Sequence, residues 1–255
     1  MTVTVNMKEA PRLKQPILIC GLPGSGYVGK LAVDHMISEL KAEQAGELYS
    51  YSFPPQVVIK TDGTAEPMKN AIYSYKGDGS KPDLLIFTGD SQPIAPEANY
   101  EVADKVLEIA QQMGAQQLYT LAAYITGAFV EKPRVFGTAT DINMVKMIEK
   151  NSVVIMSEGT ITGMNGVLVG VGKIRGMRGV SLLGETSGYV IDPKASQAVL
   201  EVLSKILGIE IDMHNLEARS KEADAVIQTI EKMRGGPVEK RGKEEGPSKE
   251  LEYIS

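Results

Sequence analysis

Tryptophan is absent from this chain and phenylalanine occurs only four times, so the aromatic platforms on which single-stranded nucleic acid stacks are scarce. Charge does not invite a polyanion either. Lys and Arg number 27 against 32 Asp and Glu, a formal net charge of −5, which gives no general pull toward phosphate backbones. Nucleic acid is therefore not an expected partner. The single cysteine, Cys20, excludes an internal disulfide and any all-cysteine metal site, and in an apolar run it reads as a small core residue. His35 and His214, the two histidines, share no ligand spacing, so no metal is expected. No apolar run approaches the roughly 20 residues that span a bilayer, and residues 1–9 lack a signal peptide's apolar region. The expectation is a cytoplasmic protein without a membrane partner.

What is present is ordinary for a globular protein: 43% hydrophobic and 23% charged residues over a length of 255, enough to bury a substantial core. The chain is organised around one stretch, Pro16-Ile-Leu-Ile-Cys-Gly-Leu-Pro-Gly-Ser-Gly-Tyr-Val-Gly-Lys30. A short apolar run, a turn of Gly, Pro and Ser, and then apolar residues at helical spacing predict strand, tight loop and helix.

Two phosphate motifs overlap in that loop. Gly24-Ser-Gly-Tyr-Val-Gly29 spells the dinucleotide fingerprint, and the same residues with Lys30 spell a P-loop. Each lacks a part its chemistry needs. The P-loop's magnesium-holding Ser or Thr is replaced by Leu31. The ribose-binding carboxylate expected about 20 residues beyond the glycines has no counterpart where residues 48–53 run into Pro54-Pro55-Gln56. The remaining reading is mechanical: glycine lets a buried strand reverse sharply into a helix packed hard on the sheet.

Apolar runs at 48–53, 56–61, 70–76, 83–88, 117–122, 152–156 and 180–183 alternate with helical patterns at 96–113, 141–150 and 193–207, with 123–140 left irregular. Strands separated by helices predict an α/β fold: a mostly parallel twisted sheet with helices on both faces, in Rossmann-like layers, over residues 1–212. A second glycine-rich block carries Gly163, Gly166 and Gly170 one helical turn apart, a bald stripe that predicts another backbone passing very close. Residues 213–234 read as an amphipathic helix, with Leu216, Ala223, Val226, Ile227, Ile230 and Met233 on one stripe. Residues 235–255 read as a flexible charged tail with an apolar and aromatic tip, Leu251-Glu-Tyr-Ile-Ser255.

Polar residues just beyond the strands could face the loop carrying Lys30, namely Asp90, Gln92, Glu185 and Thr186. A phosphate or nucleotide site there would use Gly24, Gly26, Gly29, Lys30, Asp90 and Glu185, in an ATP-dependent ligase or a nucleotide-binding hydrolase. The tip suggests a different class of function, a tethered bait for another protein's pocket.

The blocks Gly21-Leu-Pro-Gly-Ser-Gly-Tyr-Val-Gly-Lys-Leu-Ala, Ser52-Phe-Pro-Pro-Gln-Val-Val, Leu84-Leu-Ile-Phe-Thr-Gly-Asp-Ser-Gln and Gly179-Val-Ser-Leu-Leu-Gly-Glu-Thr together resemble the proteasome assembly chaperone 2 family in its archaeal form, over residues 14–208. That resemblance implies a non-enzymatic, homo-oligomeric α/β chaperone without a cofactor. Its partners would be proteasome α-subunits and the α-ring, whose assembly or capping it helps. Family members often end in a hydrophobic-Tyr-any tripeptide that inserts between α-subunits. Here Tyr253 stands third from the end and Ile254 is penultimate, so the tripeptide is out of register, and Leu251, Tyr253 and Ile254 are the residues expected to dock.

Overall fold

A strand that is apolar on both faces needs a helical layer on each side, and the central strands of this protein are of that kind. The computed structural model describes residues 3–8, 12–233 and 253–254. Its first half comprises β1 (Val3–Met7), β2 (Ile17–Cys20), α1 (Val28–Leu40), β3 (Glu43–Ser50), β4 (Val57–Ile59), β5 (Ala65–Pro67), β6 (Asn70–Tyr75) and β7 (Leu84–Gly89). There follow α2 (Pro96–Gln112), β8 (Gln117–Ile125), β9 (Val135–Ala139), α3 (Ile142–Lys150), β10 (Val154–Ile155), β11 (Thr160–Ile161) and α4 (Gly163–Ile174). The chain continues with β12 (Arg178–Thr186), α5 (Pro193–Leu207), α6 (His214–Met233) and β13 (Tyr253–Ile254).

Nine strands form one sheet in the order β1-β3-β6-β7-β2-β8-β12-β9-β10. Alternate residues sort its two cores. Ile19, Leu84, Ile86, Tyr119, Leu121, Val180 and Leu182 face α1 and α5. Leu18, Cys20, Leu85, Phe87 and Leu118 face α2 and α4. The α/β class with helices on both faces is as the sequence predicts, but the sheet is mixed. Parallel pairing holds the central strands β7, β2, β8 and β12 together. Antiparallel pairs flank them, β6 with β7 on one side and β12 with β9 on the other. The carboxyl ends of the four parallel strands therefore share one edge.

Residues 135–139, predicted irregular, form β9, which runs Val180↔Ala139 to Gly184↔Val135 against β12. Pro133 before the run and Gly137 inside it hide the strand from its own composition. In the glycine-rich helix α4, a Cβ at Gly166 would stand 2.0 Å from the Ile161 carbonyl oxygen, so a backbone does pass close there. Gly170 departs from the predicted stripe, because a Cβ on it would meet nothing within 4 Å. Helix α6 packs its first half on α5: Leu216 and Ser220 are buried, and Lys194 Nζ lies 2.6 Å from Asp224. The side chains of Val226, Ile227, Ile230 and Met233 fall outside the described residues.

On β3, Glu47 accepts hydrogen bonds from Lys69 Nζ, the Tyr49 hydroxyl and Gln44 Nε2 at 2.7, 2.7 and 2.9 Å. The Lys69 bond first, then those from Tyr49 and Gln44, holds its carboxyl at about 2, well below the ordinary carboxylate value. A depressed carboxylate contributes stability that is fully present above its unfolded pKa and lost as pH falls toward its folded one. Glu47→Gln is thus expected to cost about 1 kcal/mol at pH 7, with the difference from wild type shrinking between pH 4.5 and pH 2. Urea midpoints at pH 7 and pH 3 check it, and an equal difference at both would contradict the assignment.

Candidate functional site

The glycine bend lies at the shared carboxyl edge of the parallel strands. After β2 the backbone is tied to the next strand by Gly21 N–H donating to the Phe87 carbonyl at 3.0 Å. A single 3₁₀ turn over Ser25–Tyr27 then delivers the chain into α1. Gly26 takes φ +62°, and Tyr27, a residue with a Cβ, takes φ +54°, a conformation that costs on the order of 1 kcal/mol outside glycine. The bend is thus tight enough to strain a tyrosine, and packing explains why. A Cβ on Gly29 would stand 1.9 Å from the Leu121 carbonyl oxygen of β8, and one on Gly21 would stand 2.3 Å from the Gly29 carbonyl oxygen. Helix, loop and strand backbones are in mutual contact.

Neighbours on both sides stitch the bend in place. Gln92 Nε2 donates to the Pro23 carbonyl at 2.7 Å, while its Oε1 accepts from Met164 N–H at 2.8 Å, joining the bend to the start of α4. On the other side the Gly26 carbonyl accepts from Asp192 N–H at 2.8 Å. The Asp192 carboxylate accepts from the Thr186 hydroxyl at 2.6 Å and from Ala195 N–H at 3.0 Å, which caps α5. Of the polar residues predicted to face the loop, Gln92 reaches it directly and Thr186 reaches it through Asp192.

Asp90, Lys30 and Glu185 are engaged elsewhere. Lys30 Nζ lies 2.6 and 2.7 Å from the two oxygens of Asp34, one turn along α1. Asp90 ties the end of β7 to the start of β6, its carboxylate accepting from Lys69 N–H at 3.0 Å and its own N–H donating to the Lys69 carbonyl at 2.9 Å. Glu185 is buried on β12 and accepts from Arg134 N–H, Nε and Nη2 at 3.1, 2.9 and 2.8 Å. Its bonds to the Arg134 guanidinium hold its carboxyl below the usual range. That guanidinium also covers Phe136 at 5.0 Å, and Phe136 stacks on Tyr124 at 3.9 Å. Arg134 is the residue sequence reasoning missed, because it sits in the segment predicted irregular.

Burial pushes the Cys20 thiol well up, which keeps it protonated and unreactive. Among the described residues no cluster of three His, Cys, Asp or Glu could hold a metal ion, and no helix is long and apolar enough to cross a membrane. Several large apolar and aromatic side chains near the bend are exposed. Tyr189 is 67% and Ile191 56% exposed, with Tyr27 and Ile125 exposed nearby. Leu31, Tyr189, Ile191, Pro193 and Ala223 line a groove of about 640 Å³ between the β12–α5 loop and α6. Of the predicted tail residues, Leu251 lies outside the described residues, while Tyr253 and Ile254 form β13.

The whole architecture has close relatives. The structure of Pyrococcus furiosus PbaB, an archaeal proteasome activator, is 41% identical, with a TM-score of 0.85 over 90% of this chain and 98% of that one. Pyrococcus furiosus PbaA, an archaeal homolog of proteasome-assembly chaperone, is 29% identical, with a TM-score of 0.73 over 90% and 91%. An uncharacterized protein of Methanocaldococcus jannaschii is 36% identical over 254 residues, 99% of this chain and 97% of that one. The PAC2 family model matches residues 18–231, and with a bend built for close packing at its centre this chain belongs to the PAC2 family.

Proposed function

We propose that the protein is a non-enzymatic, homo-oligomeric chaperone that binds proteasome α-subunits and assists assembly or capping of the α-ring, with its C-terminal tip as the anchor. The observation that carries this reading is the likeness, at 41% identity over nearly the whole fold, to a protein described as a proteasome activator. The bend supports it from the chemical side. Lys30, Asp90 and Glu185 are each spent on a structural partner, and the polar groups that reach the loop bind protein backbone. A surface with Tyr27, Ile125, Tyr189 and Ile191 exposed around that loop suits protein contact.

Archaeal α-rings are the probe. Full-length protein immobilised on resin is expected to retain them, and failure to retain any would remove the partner.

A further inference from the structure

Among the described residues, the buried side-chain polar atoms without a hydrogen-bond partner gather around one loop, residues 89–95 after β7. They are both amide atoms of Asn70, the Ser91 hydroxyl and the Oδ1 atoms of Asn99 and Asn165. Asn70 lies opposite Gly89 in the β6–β7 ladder, and Ser91 belongs to the loop itself. Asn99 Nδ2 donates to the Pro93 and Ala95 carbonyls at 3.4 and 3.1 Å. Asn165 follows Met164, whose N–H donates to Gln92.

Asn70 carries the argument furthest. It is fully buried and pairs across the ladder with Leu48 of β3, on the face that Ile72 and Phe87 present to α2 and α4. A carboxamide left unpaired in such surroundings costs free energy that an apolar side chain would not. Room is nevertheless made for it, because a Cβ on Gly89 would stand 1.9 Å from Asn70 Oδ1. The amide therefore lies over that glycine. Gly89 and Ser91 are at most about 7 Å apart along the backbone, a span that one small molecule bridges with two hydrogen bonds. An amide and a hydroxyl offer donors and acceptors without a full charge. The charges nearest in sequence are engaged, Lys69 Nζ with Glu47 and Glu66 and the Asp90 carboxylate with Lys69 N–H. A neutral molecule the size of water suits this enclosed place, accepting from Asn70 Nδ2 and donating to Asn70 Oδ1 or Ser91 Oγ.

We propose that Asn70 and Ser91 bind ordered water beneath the 89–95 loop, and that this water joins β6 to the loop carrying Gln92. Gln92 in turn ties the glycine bend to α4, so the bound water supports the bend from within. The site belongs to the body of the fold and stands whatever partner the protein has.

A double-mutant cycle on the full-length chain tests this with Asn70→Leu and Ser91→Ala, two side chains that share no direct hydrogen bond. Leucine keeps the volume of Asn70 but strands the water, and is expected to lower the melting temperature by about 5 °C. Ser91→Ala alone is expected to lower it by about 3 °C and to add little in the Asn70→Leu background, because one network is broken by either change. An amide with no water on it gives the opposite sign, since leucine then relieves a buried unpaired group. Asn70→Leu as stable as wild type or more so, or strictly additive losses, would overturn the proposal. A crystal structure of the wild-type chain that resolves water gives a second readout needing no variant. Water density about 2.7–3.2 Å from an Asn70 amide atom and from Ser91 Oγ is expected, and a protein atom or a metal ion in that place would overturn the site.

Discussion

Gly29→Ala is expected to lower stability by about 3 kcal/mol or more, a drop in melting temperature of about 10 °C for a chain this size. The added methyl would lie 1.9 Å from the Leu121 carbonyl oxygen and 2.7 Å from the Leu121 carbonyl carbon. Both belong to a central strand that is paired on each side, so the strand cannot yield. Helix α1 would have to lift instead, and Val28, Ala32, Val33 and Met36 on its inner face are all fully buried. Gly170→Ala is the matched control. Its Cβ points into open space within a helix, where alanine is preferred by up to about 1 kcal/mol, so it should raise the melting temperature slightly. Thermal melts of both variants without any ligand check the pair, and a Gly29→Ala protein as stable as wild type would contradict close packing as the purpose of the bend.

A chain stopped after Arg234 is expected to lose α-ring capture by roughly 10²-fold relative to full length. One tip orders only a few residues and gains little alone. In the proposed homo-oligomer, copies tethered to one body would raise each other's local concentration, so removing them all would remove the product of their effects. The fold should be unaffected, because the family match ends at residue 231 and α6 is held to α5 through Leu216 and the Lys194–Asp224 pair. Pull-down of α-rings by the two proteins at matched concentration decides it, and equal capture would take the tail out of the mechanism.

The extent to which the fold could be read from sequence followed the strength of its local signals. The helix over 193–207 announces itself through Asp192-Pro193 and Gly208, and these are its cap, first turn and left-handed stop. The bend is legible because its glycines are dense and its phosphate chemistry is incomplete. What stayed hidden was long-range. Nothing in Arg134 points to Glu185, 51 positions away, and only the antiparallel pairing of β9 with β12 brings them together. Gly170 reads like Gly166 because helical spacing reports which residues share a face and leaves unsaid what that face meets. Lys30 likewise looks like a phosphate ligand until Asp34, one turn on, is seen to hold it.

That the glycine bend brings backbones together and grips no anion is tested most directly by thermal shift of the full-length chain with ATP and magnesium, and separately with NAD. A ligand at a hundred times its Kd would add about 2.7 kcal/mol, a rise of roughly 5–10 °C. The predicted result is an unchanged melting temperature in wild type and Lys30→Ala alike. A rise of several degrees that vanishes in Lys30→Ala would contradict it.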